Sequence, residues 1–86
     1  MGNRRWDSPI LVVCKRTGQM LMVNTTNEAR DILLNAWPTA EGKAFMSALQ
    51  ICADVDAGIR EPREAREAFI IAAREANVPI ETSMEQ

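Results

Sequence analysis

Ile10-Leu11-Val12-Val13-Cys14 and Met20-Leu21-Met22-Val23 flank Lys15-Arg16-Thr17-Gly18-Gln19, and reading this stretch as a β-hairpin decides the fold. Side chains alternate across a strand, so Ile10, Val12 and Cys14 share one face while Leu11 and Val13 take the other; Leu21/Val23 and Met20/Met22 divide in the same way. Gly18 supplies the left-handed residue that three- to five-residue hairpin connections commonly need. Neither face is polar. A lone two-stranded ribbon is marginal in water, and one layer of helices covers one side only, so the second side calls for more chain or a partner.

Downstream the periodicity changes to helical. Thr25-Thr26-Asn27-Glu28 matches a capping box, with Thr25 as N-cap and Glu28 at the third helical position. Ala29, Ile32, Leu33, Ala36 and Trp37 then recur at the spacing of a buried stripe, and Pro38 disfavours helical geometry at Trp37. The Trp37 indole is expected to wedge between the first and second helices. Thr39 is read as the cap of the second helix after a very short connection, with Glu41 against the positive end of its dipole. That helix carries Phe45, Ala48, Leu49, Cys52 and Val55 on one stripe, and Gly58 ends it. Pro62 suits the first turn of a third helix with the stripe Ala65, Ala68, Phe69, Ala72, Ala73 and Ala76, closed by Asn77, Val78 and Pro79. Its alanines allow close helix packing, while Ile70 and Ile71 widen the apolar surface beyond what one neighbour needs. Glu81 to Gln86 is polar and expected to fray. The order β-β-α-α-α, without βαβ alternation, predicts a two-layer α+β fold: an N-terminal β-hairpin with three helices on one face. Residues 1–86 read as a single domain with an ordered core over about residues 6–80 and a short polar tail.

Composition bounds the function. A chain of 86 residues builds a modest core, one that removes roughly 60–65% of the unfolded surface from water. An apolar fraction of 47% with 26% charged residues is ordinary for a globular protein, and a net charge of −2 gives no global attraction to nucleic acid or anionic membrane. The apolar stretch that follows Trp6 is about five residues long, short of the roughly 7–15 of a signal peptide's hydrophobic region. No segment approaches membrane-spanning length, and an acylation signal at Gly2 wants Ser or Thr where Trp6 stands. The expected location is cytoplasmic. Cys14 and Cys52 lack CxxC spacing and fall on apolar faces, which fits buried, reduced thiols.

Trp6, Pro9, the Gly18 turn, Glu28-Ala29, Leu33-Leu34, Trp37-Pro38, Gly42, Cys52, Gly58 and the run from Ala65 to Ala76 together carry a resemblance. The chain resembles domain of unknown function 982, a family of small uncharacterised proteins of rhizobia and related bacteria, from Trp6 to Ile80. The Trp-Pro step and Ala65-Arg66-Glu67-Ala68-Phe69-Ile70 are its most specific pieces. The resemblance implies the fold and assigns no catalytic or binding residue.

The residues themselves offer little chemistry. Without histidine or tyrosine there is no His-based triad and no His metal site. Asp54, Asp56, Glu61 and Glu64 cluster around the second helix connection, but Arg60 and Arg63 among them make a solvated charged loop the simpler account. Asp54-Val55-Asp56-Ala57-Gly58 starts like a calcium loop, yet its Gly comes one residue early and its twelfth position is Ala65, which cannot ligate. The four glycines form no phosphate-cradling motif. No enzyme activity, cofactor or metal is expected. Trp6 and Trp37 read as core or lid aromatics, and Met20 and Met22 as core fillers ahead of a promiscuous groove.

The leading reading is a protein-interaction module that self-associates as a homodimer, with an unknown protein partner besides. Its candidate surface is Leu11, Val13, Leu21 and Val23 on the hairpin with Ile70 and Ile71 on the third helix. The alternative is an accessory nucleic-acid-binding or regulatory protein that uses Arg63, Arg66 and Arg74 as anion contacts, helped by Arg4, Arg5, Lys15 and Arg16. The interleaved Glu64, Glu67 and Glu75 lower the local potential that such binding requires.

Overall fold

Strand alternation and helical stripes set the layers. The structure, a computed structural model, describes residues 5–13, 18–38 and 41–82, with backbone alone for Arg5, Asp7, Ser8 and Thr82. The elements are β1 (Arg5–Val13), β2 (Met20–Thr25), α1 (Thr26–Asn35), α2 (Lys43–Asp56), α3 (Pro62–Glu75) and β3 (Ile80–Thr82). β1 and β2 pair antiparallel with Ile10 opposite Val23, Leu11 opposite Met22, Val12 opposite Leu21 and Val13 opposite Met20. The register shifts between Arg5 and Ile10, a span that includes Pro9, which has no N–H to give a ladder. The expected α+β fold, a hairpin followed by three helices, is what forms.

The chain adds one element that the sequence reading missed. Ile80–Thr82 is a strand, antiparallel to β1, and the sheet order is β2-β1-β3. Glu81 and Thr82 therefore do not fray, while the remainder of the expected tail lies outside the described residues. The cause is the second edge of β1: its backbone groups need partners, and the turn after α3 brings the chain back beside them. Asn77 holds φ 58°, Val78 N–H donates to the Ala73 carbonyl and Asn77 N–H to the Arg74 carbonyl, so α3 ends in a Schellman turn. Val13 N–H then donates to the Pro79 carbonyl at 3.0 Å, and Ile80 lands opposite Val12.

The helices keep their expected stripes, with two changes at their starts. At α1, Glu28 N–H donates to Thr25 Oγ1 at 3.1 Å as the capping box requires. The returning Glu28 carboxylate accepts from Asn24 N–H at 2.7 Å, one residue ahead of the cap. Helix α2 does not begin at Thr39, which lies outside the described residues; its N-cap is Gly42. Gly42 has no side chain to cap with, and the Glu75 carboxylate at the end of α3 does that work instead, accepting from Ala44 N–H and Phe45 N–H at 3.2 Å each. Gly42 sits at φ 127°, and a Cβ there would collide with the Glu75 carboxylate, so both backbone and space demand glycine. At the far end of α2, Gly58 at φ 83° closes a second Schellman turn, with Ile59 N–H on the Asp54 carbonyl and Gly58 N–H on the Val55 carbonyl. Pro62 opens α3, and Glu61 N–H donates to the Glu64 carboxylate at 3.1 Å.

The core lies between the inner sheet face (Ile10, Val12, Val23) and the stripes of all three helices. Ala48, Ala65, Ala72 and Ala73 are fully buried, which lets helices α2 and α3 pack closely. Phe69 occupies the centre with no exposed surface. The Trp6 ring lies 6.1 Å from it on one side and the Trp37 ring 5.3 Å on another, both tilted by 56°. Both tryptophans are thus packing aromatics, although Trp37 meets Phe69 of α3 instead of wedging between α1 and α2 as expected. Pro38 turns the chain off α1 at that point, and the indole swings over the nearest large apolar ring. Trp6 Nε1 is satisfied by Thr26 Oγ1 at 3.0 Å, and Trp37 Nε1 has no acceptor among the described residues.

Truncating a buried aromatic costs about 3–5 kcal/mol, and Phe69→Ala is expected within that range. Trp37→Ala, which removes a half-buried ring, should fall at or below its lower end, and Arg63→Ala should stay within about 0.5 kcal/mol. Urea melts of the three variants test the ranking; a Trp37→Ala melt that matches the parent would take Trp37 out of the core. Glu75→Gln should lose part of the charge-assisted cap on α2, about 1 kcal/mol, read in the same melts.

Candidate interaction surface

Register decides which hairpin face is free. Ile10, Val12 and Val23 are at most 2% exposed, and Leu21, opposite Val12, shares their inward face and is half-buried. Val23 is therefore not a surface residue, and the expected grouping of Leu11 and Val13 with Leu21 and Val23 is corrected by the pairing. Leu11 and Val13 face outward with Met22 and Met20 opposite them. Met20 and Met22 are 57% and 55% exposed, so they fill no core. The outer face of the sheet is thus an apolar strip of two half-buried and two exposed side chains, bordered on β3 by Glu81.

A second apolar surface runs between α2 and α3. Lys43, Ala44, Ser47 and Ile51 of α2, with Glu64, Glu67, Ala68 and Ile71 of α3, line an open groove of about 410 Å³. Ile71 is 56% exposed along it, and Met46, 58% exposed, lies on α2 next to Ser47. Ile70, expected on the same surface, packs against the core instead, because its position on α3 follows Phe69 around toward the buried side. Ile71 lines the groove, on the surface expected for it, while the sequence reading missed Ala44, Ser47 and Ile51, which fall at helical intervals as a second stripe on α2 facing Glu64, Glu67, Ala68 and Ile71 of α3. Alanine and serine carry too little apolar weight for that stripe to stand out in sequence.

The charged groups are arranged as a structural network. Arg60 Nε lies 3.1 Å from Asp54 Oδ2 and its Nη1 lies 2.9 Å from Glu64 Oε1, while Gln50 donates to the other Asp54 oxygen. The Glu61 backbone N–H first, and then Arg60, hold the Glu64 carboxyl below its ordinary range. Arg63 pairs with Glu61 at 3.1 Å in full contact with water. Arg66 is half-buried in the middle of α3, and Arg74 is exposed in its last turn. The three candidate anion contacts are thus spread from one end of α3 to the other. Arg4, Lys15 and Arg16 lie outside the described residues. The Asp54–Gly58 segment is the end of α2 and its turn, and no cluster of three metal-ligating side chains exists among the described residues.

A three-stranded antiparallel sheet under three helices, with exposed apolar side chains on the sheet and between two helices, defines a small α+β protein. The chain belongs to the family described as protein of unknown function (DUF982), whose profile matches residues 8–80. It is similar to the Agrobacterium tumefaciens protein Atu1219, solved by NMR, at 30% identity and a TM-score of 0.76, over 94% of this chain and 80% of that one. No curated protein matches the chain. No helix among the described residues is long and apolar enough to cross a membrane.

Cys52 is fully buried on the α2 stripe, as expected, and Cys14 lies outside the described residues. Burial pushes the Cys52 thiol from 9.0 up to about 11, opposed only in part by Arg30. Below pH 9 the thiol is protonated whether the chain is folded or not, so it adds no pH dependence. Between about pH 9 and 11 the unfolded chain loses that proton and the folded chain keeps it, and the Cys52 contribution should fall by about 2–3 kcal/mol across the window. Urea melts of the parent and of Cys52→Ala through this range should diverge. Native labelling of Cys52 in a Cys14→Ser background should be slow and become fast in denaturant; rapid native labelling would contradict the burial.

Proposed function

We propose that this protein is a non-enzymatic, cytoplasmic protein-interaction module that works through contacts with itself and with another protein. The observation that supports this reading most is that Met20, Met22, Met46 and Ile71 all stand more than half exposed on a fold this small. Isolated surface apolar side chains such as Leu34 and Ile59 are ordinary, but Met20 and Met22 share one sheet strip with half-buried Leu11 and Val13, and Ile71 edges the groove beside half-buried Ala44 and Ile51. Methionines on such a strip adapt to the shape of whatever covers them. The buried, unactivated thiol of Cys52 and the ion-paired acids around Arg60 favour this reading over catalysis. The pairing of Arg63 and the scatter of Arg66 and Arg74 favour it over phosphate binding.

Light scattering coupled to size exclusion tests self-association directly. The expected mass is that of a reversible dimer, rising with concentration and persisting at high salt, where phosphate-type contacts would be lost. A monomer mass from low micromolar to near-millimolar protein would overturn the reading.

A further inference from the structure

The two free surfaces differ in charge. Among the described residues, the outer sheet strip offers a single sign, Glu81. The α2–α3 groove carries both. Glu75 caps the start of α2, and Arg60 ties Asp54 near the end of α2 to Glu64 near the start of α3, so the two helices are antiparallel. Lys43 therefore stands at one end of the groove and Glu67 toward the other. Level with Glu75, Lys43 is eight residues from Glu67 along α3, about 12 Å at 1.5 Å per residue. Both side chains are exposed, and neither has an ion pair with a described residue. Ile71 lies midway between the two levels, across from Ser47.

This pattern is self-complementary. A two-fold axis beside Ile71 and Ser47 brings Lys43 of each copy to Glu67 of the other and lays the two exposed Ile71 side chains over the small floor made by Ser47 and Ala68. We infer that the α2–α3 groove seats the same helix pair of a second copy, forming an antiparallel four-helix interface held by two symmetric Lys43–Glu67 pairs around a central Ile71 contact. The inference rests on the self-association reading and assigns it a surface, leaving the methionine strip of the sheet to a different protein. Two 14-residue helices present a face about 21 Å long and two helices wide, roughly 400 Å² per copy. Standard interfaces bury about 800 Å² per partner, so the dimer is a small, reversible one.

Charge reversal tests the assignment. Lys43→Glu and Glu67→Lys each place like charges together at both symmetric contacts, and each should weaken the dimer about tenfold in sedimentation equilibrium. An equimolar mixture of the two variants restores opposite charges at both contacts and should form a heterodimer of about parental strength. Ile71→Lys should weaken the dimer without rescue, and Met20→Lys/Met22→Lys should leave it intact. Circular dichroism melts check that each variant is folded, and all five positions are exposed, so folding should survive. A parental dimer that is indifferent to both reversals, or is lost in Met20→Lys/Met22→Lys, overturns the groove assignment and leaves self-association standing. A parent that stays monomeric overturns both.

Discussion

Phe69 under the two tryptophans is the contact on which the rest of this structure depends. A domain of this size has little interior, and large aromatic rings fill it at the lowest cost in ordered side chains. Trp6 comes from the start of β1, Trp37 from the end of α1, and Phe69 from the middle of α3. One three-ring cluster therefore joins the first strand, the chain just past the first helix and the last helix, through rings more than thirty residues apart in sequence. The Trp6 indole N–H on Thr26 adds direction, since it holds the first strand to the first turn of α1 while leaving no buried donor there unpaired.

The same economy governs α2. Its first turn has no capping side chain of its own, and the free N–H groups of Ala44 and Phe45 are met by the Glu75 carboxylate from the last turn of α3. One carboxylate thus favours the positive end of one helix dipole while fixing the register of two helices. Glycine at position 42 is what admits it. With Arg60 joining Asp54 to Glu64 at the opposite end, the α2–α3 pair is tied at both ends, with the groove between them.

The lone layer of helices has a consequence for function. Among the described residues the helices cover one sheet face, β3 extends the sheet sideways, and Met20 and Met22 stand exposed on the other face. Asp54, Glu61 and Glu64 are by contrast paired with arginines, and the Cys52 thiol lies in the core. The chain shares this fold with the protein of unknown function (DUF982) family and with the Agrobacterium protein.

Local physics was legible in the sequence. The hairpin, the Thr25 cap, the Gly58 and Pro62 boundaries and the three core stripes follow from residue type and spacing, because capping, turn geometry and amphipathic periodicity act over a few residues. Only the tertiary structure decided the remainder. Strand β3 exists because β1 has an edge to satisfy, the cap of α2 lies thirty residues away in Glu75, and the outward set Leu11, Val13, Met20 and Met22 follows from a register that two doubly apolar strands leave undetermined. The groove with Lys43 at one end and Glu67 toward the other likewise arises when two separate helices pack antiparallel. Each of these depends on groups distant in sequence meeting in space, and no local pattern encodes such a meeting.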